Sequence, residues 1–275
     1  MASEPTMTRD DIVQALDDVW GSLATIGATL SDDEWERPSR LAGWSVKDLY
    51  AHVLGTEAML LGRPQPTVDV PDAPHLRNDI ARFNEAWIIE RRERPGAEVL
   101  AEFVEVTGER LAALARMDRA QFDEEAWTPA GHATYGRFMQ IRVFDSWMHE
   151  QDVRDAVGRP GDLDGVAVEV VLAEIAEALG FVVGKRAGAP SGASVALVIT
   201  GPHRHRFDVA VTDRARVTTT PALSPTATVA TDLSTFAALI GGRVDPDAVL
   251  ASGSVDLAGD PDLAHAVATN LAFVI

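Results

Sequence analysis

The 275-residue chain contains no cysteine. Disulfide staples and thiolate metal ligands are therefore excluded, and any thiol nucleophile in its chemistry must come from a small molecule. Basic residues are scarce as well: 24 Lys and Arg stand against 42 Asp and Glu, a formal charge of −18. Such a charge repels nucleic-acid phosphates and anionic membranes. The only concentrated basic runs, Arg91-Arg92-Glu93-Arg94 and His203-Arg204-His205-Arg206, are too short to offset it. No nucleic-acid partner and no membrane partner are expected. Long apolar runs are missing too. The most apolar stretch, Val166 to Val183, is interrupted by Glu169, Glu174 and Glu177 and reads as a packed amphipathic helix rather than a membrane span. Met1 to Asp10 is polar, with no apolar run ahead of a small-residue cleavage site. No secretion signal is expected, and with the missing cysteines this points to a cytoplasmic location.

What is present is the composition of a folded globular protein, 46% hydrophobic and 24% charged, on a chain long enough for two ordinary domains. The first part repeats helical patterns. Thr8 to Thr29 carries Ile12, Leu16, Val19, Trp20, Leu23 and Ile26 on one stripe, with Thr8 placed to cap. Ser45 can cap a helix running to about Leu61. Pro64, Pro66, Pro71 and Pro74 enforce a loop. A third helix is expected from about Leu76 to Arg92, continuing past Pro95-Gly96 to Met117, and a fourth from about Tyr135 to Ala156, stopped by Gly158 and Pro160. Four helices make a bundle.

Beyond Asp162 the pattern changes. After one helix, Val166 to Phe181, come the β-branched segments Val195 to Ile199 and Phe207 to Val211, read as a hairpin across Gly201-Pro202. Ala227 to Thr231 reads as strand, Leu233 to Ile240 as helix, Gly253 to Leu257 as strand, and Pro261 to Ala272 as a closing helix capped by Asp260. The expected fold class is therefore α+β with two domains, a helical bundle over 1–160 and an α+β domain over 161–275, parted by the Gly-, Pro- and Asp-rich Gly158 to Gly165.

The candidate chemistry lies in Asp145-Ser146-Trp147-Met148-His149. Residues four apart on a helix are separated by about 40° around its axis, so Asp145 and His149 project side by side. A histidine from a neighbouring helix, with His52 the best placed, completes two imidazoles and one carboxylate. That is the three-ligand set that leaves a catalytic zinc an open position. Ile141, Val143, Phe144, Trp147 and Met148 surround the pair with apolar side chains, and a metal is one of the few partners that offsets burial of a carboxylate. Asp152, three residues after His149, and Asp48, four before His52, are each within helical reach of an imidazole; either can orient a ring or replace Asp145 as ligand.

The segments Gly43-Trp44-Ser45-Val46-Lys47-Asp48-Leu49-Tyr50-Ala51-His52 and Asp145 to Asp152 resemble the mycothiol-dependent maleylpyruvate isomerase family, within the DinB-like group of metal-binding four-helix bundles. Leu239 to Asp260, with Gly241-Gly242-Arg243 and Ser254 to Pro261, is similar to that family's C-terminal domain, a sterol-carrier-like α+β fold. The resemblance implies zinc ligands at His52, Asp145 and His149, the same three residues reached from helical spacing. Many relatives carry glutamate where Asp145 stands, and often Cys-Pro where Leu41-Ala42 precedes Gly43-Trp44.

The chemistry so implied is thiol activation. Zinc held by two neutral imidazoles and one carboxylate keeps a net positive charge, so a thiol entering its open position is readily deprotonated. The resemblance makes that co-substrate mycothiol or a similar low-molecular-weight thiol, and the reaction an isomerisation or an S-transfer to a small electrophilic substrate. A metal-water hydrolase and a non-catalytic binder with a structural metal are the other readings. Nickel and iron suit the same three ligands. Arg243, like Arg82, can bind a substrate carboxylate, and Arg243 is taken as the catalytic candidate. Trp44, Trp87 and Trp147 read as core and site walls. His203 and His205 read as solvated residues on a strand edge.

Overall fold

In the computed structural model, which describes residues 7–274, the first helix begins where its cap predicts. Met1 to Thr6, part of the polar amino-terminal stretch, lie outside the described residues. The Thr8 hydroxyl accepts the Asp11 backbone N–H and the Asp11 carboxylate accepts the N–H of Thr8, a reciprocal box that opens α1 (Arg9–Gly27). Ile12, Leu16, Val19, Trp20, Leu23 and Ile26 are all buried along it. A single turn, α2 (Asp32–Trp35), sets Trp35 into the core. Ser45 and Asp48 form a second capping box at the start of α3 (Val46–Leu60).

The expected third helix is two helices, α4 (Asp79–Arg91) and α5 (Gly96–Arg116). Proline cannot donate an amide and disfavours helical geometry in the residue before it, so the chain breaks at Arg94-Pro95. Gly96 restarts it against Trp35, where a Cβ would stand only 2.2 Å from the indole. After α6 (Arg119–Phe122), an antiparallel hairpin of β1 (Glu125–Thr128) and β2 (Gly131–Thr134), absent from the sequence reading, leads into α7 (Tyr135–Val157). Gly158, at φ 69°, ends α7 in the left-handed conformation that glycine adopts most easily. Helices α1 and α3 each pack on both α5 and α7, which closes a four-helix bundle, while α4 lies outside it against α3.

The chain divides into two compact units, Thr8–Asp162 and a second from Leu163 onward. The second unit opens with α8 (Val166–Phe181), continued by a π-helical turn over Val182–Arg186. Strands β3 (Ser194–Thr200), β4 (His205–Val211), β5 (Ala215–Thr218) and β6 (Ala227–Asp232) follow. The chain then runs through α9 (Leu233–Ile240), α10 (Pro246–Ala251), β7 (Asp256–Gly259) and α11 (Pro261–Thr269). The sheet order is β5-β4-β3-β6-β7, with β3 and β6 parallel and every other pairing antiparallel. Val195, Leu197, Ile199, Phe207, Val209 and Phe236 are buried in its core.

The protein is thus an α+β two-domain chain with a helical first part and a mixed five-stranded sheet in the second. The last strand starts later than its sequence suggests, because Gly253, at φ 76°, and the Ser252–Ser254 hydroxyl pair hold a turn there. No helix among the described residues is long and apolar enough to cross a membrane. His203 is not the solvated residue expected: its side chain is 9% exposed, with Nδ1 3.3 Å from Asp164.

Candidate metal centre

Helix α3 is enclosed by α4, α5 and α7, so every residue from Val46 to Ala58 is buried. The polar side chains among them must find partners inside the protein. Lys47 pairs with Glu36. Asp48 turns back to the Ser45 backbone N–H at 2.9 Å and faces Arg92 at 3.5 Å. Glu57 accepts two guanidinium groups, and His52 faces α7.

There the helical spacing of Asp145 and His149 meets His52. His52 Nε2 lies 3.2 Å from Asp145 Oδ2 and 3.4 Å from Oδ1, and His149 Nε2 lies 3.6 Å from Oδ1. The two imidazoles meet edge to face, with centroids 4.6 Å apart. One donor atom from each of His52, Asp145 and His149 falls within 4.8 Å of the others, a grouping that can hold a metal ion. Both histidines are 5% exposed, and Asp145, half-buried, gives the cluster its outlet. Trp44 walls it, with its ring centroid 5.1 Å from His52 and 6.0 Å from His149. The indole N–H donates to Glu85 at 3.0 Å, and Glu85 also accepts from Arg92 at 3.1 Å.

The same neighbours act differently on the two imidazoles. Burial pulls the His52 pKa down and outweighs Asp145, so this ring stays neutral. Burial opposes protonation of His149 as well, but Asp145 and Asp152 together push its pKa up. Burial would raise Asp145, yet Arg142 and the two histidines hold its carboxyl well below the usual range. The cluster therefore offers an ionised oxygen beside two ring nitrogens, which suits a divalent cation of borderline softness.

The two acids left open by the sequence separate here. Asp152 Oδ2 lies 3.2 Å from His149 Nδ1, which leaves His149 Nε2 facing Asp145. Asp48 is occupied by its capping box and by Arg92. The Ser45-x-x-Asp48 spacing was a readable signal for that role. Sequence reasoning missed Glu57, Arg110 and Arg142, all at most 4% exposed, which bond across three helices behind Asp145. A signal was Glu57 itself, the only acid between Asp48 and Asp69. Arg243 lies in the turn after α9, half-buried, with Nη1 donating to the Gly241 carbonyl at 2.7 Å. Arg82 is engaged by Asp72. Trp87 and Trp147 are core residues.

Comparison with known proteins gives two family matches. Residues 16–154 match the model described as the mycothiol maleylpyruvate isomerase N-terminal domain, and residues 169–266 match that family's C-terminal domain. A solved structure of mycothiol-dependent maleylpyruvate isomerase is similar at 18% identity and a TM-score of 0.60, covering 94% of this chain and 96% of that one. A histidine-to-alanine mutant of such an isomerase is similar at 17% identity, with the same TM-score of 0.60 and the same coverage, 94% and 96%. At these identities the likeness concerns the fold. No match was found among curated proteins.

Proposed function

Because the chain belongs to the mycothiol maleylpyruvate isomerase family, we propose that it is a metal-dependent enzyme that activates a low-molecular-weight thiol, mycothiol first, for isomerisation of or S-transfer to a small electrophile. The observation that carries this reading is the convergence of His52, Asp145 and His149 within 4.8 Å. These three residues would hold a divalent ion, with zinc the expected metal. When bound, the metal supplies the Lewis acidity that makes a thiol nucleophilic at a pH where a free thiol, with a pKa of about 8.5, is mostly protonated.

The chain's own residues do the rest. Asp152 sets the tautomer and orientation of His149. Trp44 keeps one side of the imidazole pair dry, held by its bond to Glu85. The absence of cysteine leaves the nucleophile to the co-substrate. Arg243 is proposed to bind a substrate carboxylate, since its guanidinium is fixed on a turn by the Gly241 carbonyl. Arg243→Ala should then raise KM more than it lowers kcat; an unchanged KM would remove that role.

The direct test is elemental analysis of the purified protein, followed by assay with mycothiol and maleylpyruvate and then with other electrophiles. Bound zinc with turnover that requires the thiol, and that is lost in His149→Ala, is the expected result. Thiol-independent hydrolysis by the metal-loaded protein would replace this reading with a metal-water hydrolase. Metal without any turnover would leave a binding protein with a structural metal.

A further inference from the structure

The two oxygens of Asp145 are not equivalent. Oδ2 accepts a charge-assisted bond from Arg142 Nη1 at 2.6 Å and has His52 Nε2 at 3.2 Å, whereas Oδ1 has only the two imidazoles near it, His52 Nε2 at 3.4 Å and His149 Nε2 at 3.6 Å. Arg142 is itself anchored. Its Nε donates to Glu57 Oε1 at 2.7 Å, the other Glu57 oxygen accepts Arg110 Nε at 2.9 Å, and Arg110 Nη2 donates to the Tyr135 hydroxyl at 2.9 Å. Arg142, Glu57 and Arg110 are 4%, 0% and 1% exposed, so water does not compete for these bonds. The array alternates two guanidinium groups with two carboxylates. It is neutral within itself and persists without any ion, the condition under which buried charges are tolerated.

We propose that Arg142 is a positioning residue that commits Asp145 to the metal through a single oxygen, Oδ1; this rests on the metal reading above. Oδ2 keeps a lone pair beyond the one that accepts from Arg142, but its charge is already shared with a guanidinium that Glu57 holds in place, which leaves Oδ1 the stronger donor to an ion. One oxygen and two imidazole nitrogens then make a three-donor set. A second carboxylate oxygen would occupy the coordination position that a thiol or substrate needs.

The test is the visible spectrum of the full-length protein loaded with cobalt(II), which absorbs strongly when four-coordinate and severalfold more weakly when five- or six-coordinate. The wild type should show the intense spectrum. In Arg142→Met the freed carboxylate closes on the ion with both oxygens, and the absorbance falls severalfold. Arg142→Lys should be intermediate, because one ammonium can hold Oδ2 but cannot also fork to Glu57. If Arg142→Met fails to fold by circular dichroism, the lysine variant carries the comparison. A weak spectrum in the wild type, or the same intense spectrum in every folded variant, would overturn the proposal and leave Arg142 as helix-packing structure. Failure of the wild type to take up cobalt or zinc at all would instead remove the metal reading, and this inference with it.

Discussion

Replacing Glu57 by glutamine should destabilise the bundle by about 3–5 kcal/mol, the usual loss when one partner of a buried ion pair is removed. The figure follows from the surroundings. Glu57 is fully buried and its two oxygens accept from Arg142 at 2.7 Å and Arg110 at 2.9 Å. Glutamine keeps one acceptor oxygen but turns an N–H2 group toward the other guanidinium, so one cation stays buried with its bond lost and the array gains a net positive charge. At about 2–4 °C per kcal/mol for a domain of this size, the melting temperature should fall by about 6–20 °C. Urea unfolding followed by tryptophan fluorescence reads this selectively, since all six tryptophans, Trp20, Trp35, Trp44, Trp87, Trp127 and Trp147, lie in the first unit. The loss should persist in about 1 M salt, where the Debye length is about 3 Å and exposed pairs are screened but buried ones are not. Glu105→Gln, at an exposed partner of Arg63, should change stability by less than about 1 kcal/mol. A Glu57→Gln loss below about 1 kcal/mol, or one erased by salt, would refute the argument that this network is dry and energetically coupled.

Four further outcomes follow from other positions. Gly55→Ala gains about 1 kcal/mol of helix propensity, but its Cβ would stand 2.6 Å from Cβ and Cγ of the buried Trp87; overpacking at about 1–3 kcal/mol should make the net effect destabilising. Gly21→Ala, with nothing within 4 Å of its Cβ, should stabilise in the same unfolding assay, and a reversal of these signs would refute the packing argument. Glu102 is opposed by burial, yet bonds from Arg91 and Arg94 hold its carboxyl below the ordinary 4.5. Its contribution is present above that value and lost as pH falls through the lowered one, so the stability gap between wild type and Glu102→Gln should be full at neutral pH and close in acid; a gap that does not change with pH would contradict it. Asp152→Asn should weaken zinc binding about 10–100-fold in a chelator competition, the usual effect of losing a carboxylate behind a ligating imidazole, and an unchanged affinity would show that His149 is oriented without it.

Local chemistry alone determined a good part of this protein. Thr8, Ser45 and Asp260 sit where side-chain oxygens meet the orphan amides of α1, α3 and α11. Gly158 sits where α7 must stop. Asp145 and His149 share a face because four residues span little more than one helical turn. All of these depend on neighbours within a few positions. The break at Pro95 is equally local, since proline has no amide to extend the helix, although the apolar periodicity runs on past it.

What only the tertiary structure decided has the opposite range. His52 meets Asp145 across 93 residues, and Glu57 meets Arg110 and Arg142 across 53 and 85. These pairings follow from how α3 is enclosed by its neighbours. Burial on all sides forces each charged residue of α3 to find a partner inside the protein, and hydrophobic periodicity does not say which one. Asp48 and Asp152 are similarly spaced from a histidine in sequence, yet Asp48 bonds its own helix terminus while Asp152 reaches His149. The spacing determined which groups can meet; the packing of α3 against its neighbours selected those that do, because there the cost of a buried charge is met by an opposite one.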